Sequence, residues 1–74
     1  MSIRVISTAK PSRAVETITA LVQVEGTATA EEVTDAALSA LGETKGSLFG
    51  WGIWDHLAGE PITDRRVVFY AHRD

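Results

Sequence analysis

The sequence predicts an α+β domain in which one helix packs on one face of a sheet of four to five strands. Three observations predict it. Val15 to Glu25 is rich in Val, Ile and Thr and alternates in the manner of a strand. Thr29-Ala30-Glu31-Glu32 matches a capping box and opens an alanine-rich stretch that closes at Gly42. Two further alternating segments, both rich in aromatic residues, follow the helix. The resulting order is strand, strand, helix, strand, strand, which is the layout of a helix laid on a sheet.

The elements follow in order. Ile3 to Ser7 carries β-branched residues and reads as a short strand. Lys10-Pro11-Ser12-Arg13 reads as a turn, because proline presets φ and serine favours local backbone bonds. In the second strand Ile18, Ala20, Val22 and Val24 share one face and Val15, Thr17, Thr19, Leu21 and Gln23 the other, although Val15-Glu16-Thr17-Ile18 could also begin a short helix. Gly26 is expected to end the strand. The helix then runs to about Leu41, with Val33, Ala37, Ala40 and Leu41 on its apolar face.

Glu43 to Ser47 is expected to be a loop. Leu48-Phe49-Gly50-Trp51-Gly52-Ile53-Trp54 is the most unusual segment, holding both tryptophans and one of the two phenylalanines. As an unbroken strand it places Phe49, Trp51 and Ile53 on one face and Leu48, Gly50, Gly52 and Trp54 on the other. His56 to Asp64 contains Gly59 and Pro61 and reads as a turn or loop with room for a short strand at Pro61-Ile62. Val67 to His72 alternates as the last strand. The expected core set is Phe49, Trp51, Ile53, Val67 and Phe69; the expected open-face set is Leu48, Trp54, Val68 and Tyr70.

Composition bounds the function. The 74 residues form a single domain, 1–74, whose core is marginal by size alone. There is no cysteine, which excludes disulfides, thiolate metal sites and cysteine nucleophiles, and suits a cytoplasmic protein. The start Met1-Ser2-Ile3-Arg4-Val5 lacks the apolar core of a signal peptide, and no apolar run approaches the roughly 20 residues that span a bilayer, so no membrane role is expected. Net charge is −3, and an acidic whole argues against nucleic acid as a partner. The charge is uneven: Arg4, Lys10 and Arg13 stand without an acid in residues 1–15, nine acids oppose Lys45 alone in 16–64, and Arg65, Arg66 and Arg73 make the end basic.

The capped helix Thr29-Ala30-Glu31-Glu32-Val33 through Ala37-Leu38 to Leu41-Gly42, followed by Leu48 to Ile53, Gly59-Glu60-Pro61-Ile62 and a final strand, resembles the ubiquitin-like β-grasp family, in particular its Ras-association-like branch. The resemblance implies a mixed sheet ordered 2-1-5-3-4 and a non-enzymatic binding role. It implies neither conjugation nor sulfur transfer, which need a Gly-Gly tail where this sequence has His72-Arg73-Asp74. In that order the first and last strands are neighbours, so Arg4, Lys10, Arg13, Arg65, Arg66 and Arg73 would gather into one basic patch opposite Glu31, Glu32 and Asp35 on the helix.

Candidate chemistry is thin. In Trp54-Asp55-His56 neighbouring strand residues face opposite ways, so Asp55 is poorly placed to orient His56. Pairing of the two aromatic strands puts His72 opposite Leu48 and His56 opposite about Asp64, which separates the histidines by about 20 Å at ~3.3 Å per residue and disfavours a metal site within one chain. Gly50-Trp51-Gly52 precedes no helix and is not a phosphate loop. No cofactor, no metal and no catalytic residue is expected.

The aromatic surplus is the stronger sign. One helix covers one face of a sheet, and large apolar groups left on the other face favour a partner, either another protein or a second copy in a homo-oligomer. The expected partner-binding residues are Leu48, Trp54, Val68 and Tyr70, with Arg65 and Arg66 steering an acidic partner. The glycines leave backbone bare between Leu48 and Trp54, to be covered by a ring such as Tyr70 or approached by a partner. Two alternatives stand beside this reading. One is a small oligomeric enzyme or ligand-binding protein with a site at a subunit junction using His56, Asp55 or His72. The other is a regulatory or inhibitory protein of the kind phages and mobile elements encode.

Overall fold

The computed structural model describes residues 1–11 and 17–73. Strand β1 spans Ser2–Ala9, β2 Thr17–Ala28, helix α1 Ala30–Leu41, β3 Leu48–Ile53 and β4 Ile62–Arg73, with a 3-10 turn at Lys45–Ser47 before β3. The architecture is α+β, one four-stranded sheet and a single helix. Every neighbouring pair is antiparallel, in the order β1-β2-β4-β3.

This order differs from the mixed 2-1-5-3-4 arrangement implied by the resemblance. Strand β1 lies at one edge and β3 at the other, and β2 separates the first strand from the last. Both β2 and β3 pair antiparallel with β4, so they run in the same direction two positions apart. A parallel return of this kind needs a crossover, and α1 supplies it. The helix therefore lies across one face only.

Thr29 begins α1 as the sequence indicates. Its Oγ1 accepts from the Glu32 N–H at 3.1 Å, and Glu32 Oε1 accepts from the Thr29 N–H at 2.9 Å. Gly42 closes the helix in the left-handed region at φ 70°. Lys10 then ties the end of β1 to the helix terminus: its ammonium donates to the Leu41 carbonyl at 2.6 Å and pairs with Glu43 at 2.8 Å.

The core lies between α1 and the sheet. Ile18, Ala20, Val22 and Val24 of β2 are buried as their alternation requires, with Val67, Phe69 and Ala71 of β4. The helix contributes Val33, Thr34, Ala37, Leu38 and Leu41, whereas Ala40, expected on this face, is exposed. Small side chains at Ala20, Ala37 and Ala71 let the helix approach a sheet that carries Phe69 at its centre.

Three departures come from local irregularities. Gly26 does not end β2. The register shifts between Val24 and Thr27, Gly26 at φ 80° donates its N–H to Asp64 Oδ1 at 2.7 Å, and pairing resumes to Ala28. The expected short strand at Pro61-Ile62 is the beginning of β4. The possible helix at Val15-Glu16-Thr17-Ile18 and the Ser12-Arg13 part of the first turn fall largely outside the described residues; Thr17 and Ile18 belong to β2.

Candidate partner-binding surface

Strand β3 decides the character of this surface. It pairs with β4 on one side only, and no strand among the described residues covers its outer edge. Its register also breaks: Leu48 pairs with Arg73 and Gly50 with His72, leaving Phe49 as the extra residue of a bulge. The bulge resets the alternation that the sequence suggested. Leu48, expected on the open face, turns into the core at 8% exposure, while Phe49, expected beneath the helix, is 81% exposed.

After the bulge the expected pattern returns. Trp51 stands opposite Ala71 and Ile53 opposite Phe69, on the helix side; Gly50 and Gly52 stand opposite His72 and Tyr70, on the open side. Trp51 remains 42% exposed because α1 does not reach across the edge strand. Trp54 extends the ladder by one bond, its N–H donating to the Val68 carbonyl at 2.9 Å. Asp55 then enters the left-handed region at φ 53° and begins the turn.

On the open face Tyr70 is the hub. Its hydroxyl lies over Gly52, where a Cβ would come within 2.7 Å. Trp54 meets the Tyr70 ring edge-on, with centroids 6.0 Å apart, and His72 tilts against its other side at 5.8 Å. Thr17 Oγ1 and His72 Nδ1 are 3.0 Å apart and share a hydrogen bond. Tyr70 therefore covers Gly52, whereas a Cβ at Gly50 has nothing within 4 Å among the described residues. Trp54 is still 63% exposed.

The remaining expected residues lie close by. Arg65, Arg66 and Val68 line a groove with Trp54 and Asp55. Thus Trp54, Val68, Tyr70, Arg65 and Arg66 come together, and Leu48 does not. The wider basic patch is divided. Gln23 separates Arg4 from Arg66 in one cross-strand row and accepts from Arg66 Nε at 2.9 Å. Lys10 and Arg73 sit at the opposite end, on Glu43 and on the Pro11 carbonyl respectively. Arg13 lies outside the described residues.

The histidines occupy separate places. His56 lines a cleft of about 520 Å³ between the start of α1 and β3, with Glu31, Lys45 and Trp51. Its Nδ1 is 3.5 Å from Arg65 Nη2, and its Nε2 is buried with no hydrogen-bond partner among the described residues. His72 lines a second cleft of about 480 Å³ with Trp54, Asp55 and Tyr70. Among the described residues no three His, Asp or Glu side chains converge as a metal site, and no helix is long and apolar enough to cross a membrane.

No family model matches this chain, and no curated protein or solved structure does. The surface chemistry therefore stands alone. Sequence reasoning missed Phe49 and Leu57, the latter 70% exposed in the turn after β3. A glycine following Phe49 within a strand was the available sign of a bulge.

Proposed function

We infer that this chain is a small non-catalytic protein-binding module whose partner docks along β3 and the adjoining open face. One observation carries the reading. Of the six large hydrophobic residues exposed among the described residues, Phe49, Trp51, Trp54 and Leu57 fall between positions 49 and 57, on and beside an uncovered edge strand. Apolar groups concentrated in this way mark interaction sites, whereas scattered ones need no explanation. Aromatic anchors supply most of the energy of such contacts. Arg65 and Arg66 flank Trp54 and favour an acidic rim on the partner. The cytoplasm is the compartment that a cysteine-free composition suits, and the reading does not depend on a ubiquitin-like relationship.

The test is capture from an extract of the source cell by wild type, Phe49→Ala and Trp54→Ala side by side. A protein retained by wild type and lost with both variants is the expected result. The same proteins captured by all three would sink the reading.

A second reading, a small ligand-binding protein, is favoured by His56 and His72 each lying in a cleft with an aromatic wall. Titration of tryptophan fluorescence with a metabolite collection separates the two. Saturable quenching that survives Phe49→Ala and is lost with His72→Ala would favour the ligand.

A further inference from the structure

We propose that the partner seated on β3 is a second copy of this chain, paired antiparallel about a twofold axis so that two four-stranded sheets become one of eight. This rests on the reading of β3 as the binding element and names its occupant. Backbone direction comes first. The Trp54 N–H bonds inward to Val68, and in an antiparallel ladder the inward and outward groups alternate. Gly52 and Gly50 therefore bond toward β4, while Trp51 and Ile53 turn their N–H and C=O groups to the uncovered edge. The bulge at Phe49 confines the regular edge to Gly50–Ile53. Trp51 of one chain then faces Ile53 of the other and the reverse, with the axis at Gly52 and four backbone hydrogen bonds closed.

Charge selects a second copy over an unrelated strand. Residues 46–54 carry no charged side chain, so two chains of net charge −3 can meet there without repulsion at the seam. The edge is also self-complementary at its ends. Lys45 precedes β3 and Asp55 follows it; pairing about Gly52 sets Asp55 of each copy opposite Phe49 of the other, four residues along the chain from its Lys45, so the basic flank of each copy lies at the same end of the seam as the acidic flank of the other. Among the described residues Lys45 is held by an exposed contact to Asp35 at 3.7 Å, which leaves it able to turn. Many edge strands are guarded by lysine or proline within the strand; Leu48–Ile53 holds neither.

The test is sedimentation over a wide concentration range, with amide exchange read at Trp51 and Ile53. Wild type should move from monomer to dimer, and those two amides should slow as it does. Lys45→Glu and Asp55→Lys should each weaken dimerisation on the order of tenfold. An equal mixture of the two should recover it, because each chain then meets an opposite charge at both ends, and this recovery also excludes misfolding as the cause of the loss. Ile53→Pro should be monomeric with the β3–β4 ladder retained, since the N–H it removes faces outward. A wild type that stays monomeric, a mixture no tighter than its components, or exchange at Trp51 and Ile53 indifferent to concentration would overturn the proposal. A monomeric wild type that still loses a captured protein on Trp54→Ala would overturn the second copy while leaving the binding module intact.

Discussion

The Tyr70 hydroxyl occupies the space in which a side chain on residue 52 would begin: a Cβ at Gly52 would lie 2.7 Å from it and 3.0 Å from the adjoining ring carbon. The ring thereby spans from β4 to the edge strand and supports Trp54 edge-on. Gly52→Ala must displace the ring and is expected to cost about 1–3 kcal/mol. Gly50→Ala meets nothing within 4 Å among the described residues and should be neutral or stabilising by up to about 1 kcal/mol. Urea unfolding of the two variants checks this, and equal losses would refute the role of Tyr70 as a cover.

The bulge at Phe49 makes two adjacent residues unequal. Leu48→Ala should cost about 2–5 kcal/mol, because Leu48 belongs to the buried cluster. Phe49→Ala should stay within about 0.5 kcal/mol of wild type, because the ring is 81% exposed. Thermal unfolding of a dilute sample separates these values from any effect of association. A larger loss at Phe49 would return the strand to simple alternation.

Helix α1 depends on its reciprocal cap. Thr29→Ala removes the acceptor of the Glu32 N–H and should cost about 1 kcal/mol, while Thr29→Ser should retain most of the stability. Denaturant midpoints of the pair decide it; similar losses in both would show that the hydroxyl does not matter.

Glu43 gives the fold an acid-sensitive tie. The Lys10 ammonium in contact with it, aided by a hydrogen bond from Ser47, holds its carboxyl below the ordinary carboxylate value against the opposing effect of burial. A carboxyl lowered in the folded state adds stability above its unfolded value, and that contribution is lost as pH falls through the folded one. Wild type should therefore exceed Glu43→Gln in melting temperature at neutral pH, and the gap should close in acid. A gap that persists in strongly acidic solution would exclude the ion pair as its source.

How much was legible follows from the range of each signal. The cap at Thr29, the stop at Gly42 and the face Ile18-Ala20-Val22-Val24 depend on residues within a few positions of one another, and each was read correctly. The inner residues Trp51, Ile53, Val67 and Phe69 were also placed on the helix side, since alternation holds between irregularities. Leu48 and Phe49 were exchanged because one inserted residue reverses every face before it. The basic patch was misplaced for another reason: strand neighbours are a property of the whole sheet, and Arg4 lies beside Gln23 rather than beside the last strand.

Local chemistry in the sequence alone determined one capped helix, an α+β layout and an aromatic surplus around Trp51 and Trp54. Only the tertiary structure decided where that surplus lies. The order β1-β2-β4-β3 puts β3 at an edge, and the bulge turns Phe49 outward and Leu48 inward. Side-chain periodicity records which residues share a face. It does not record which strands lack a neighbour, because hydrogen bonds between strands join backbone groups that every residue carries alike.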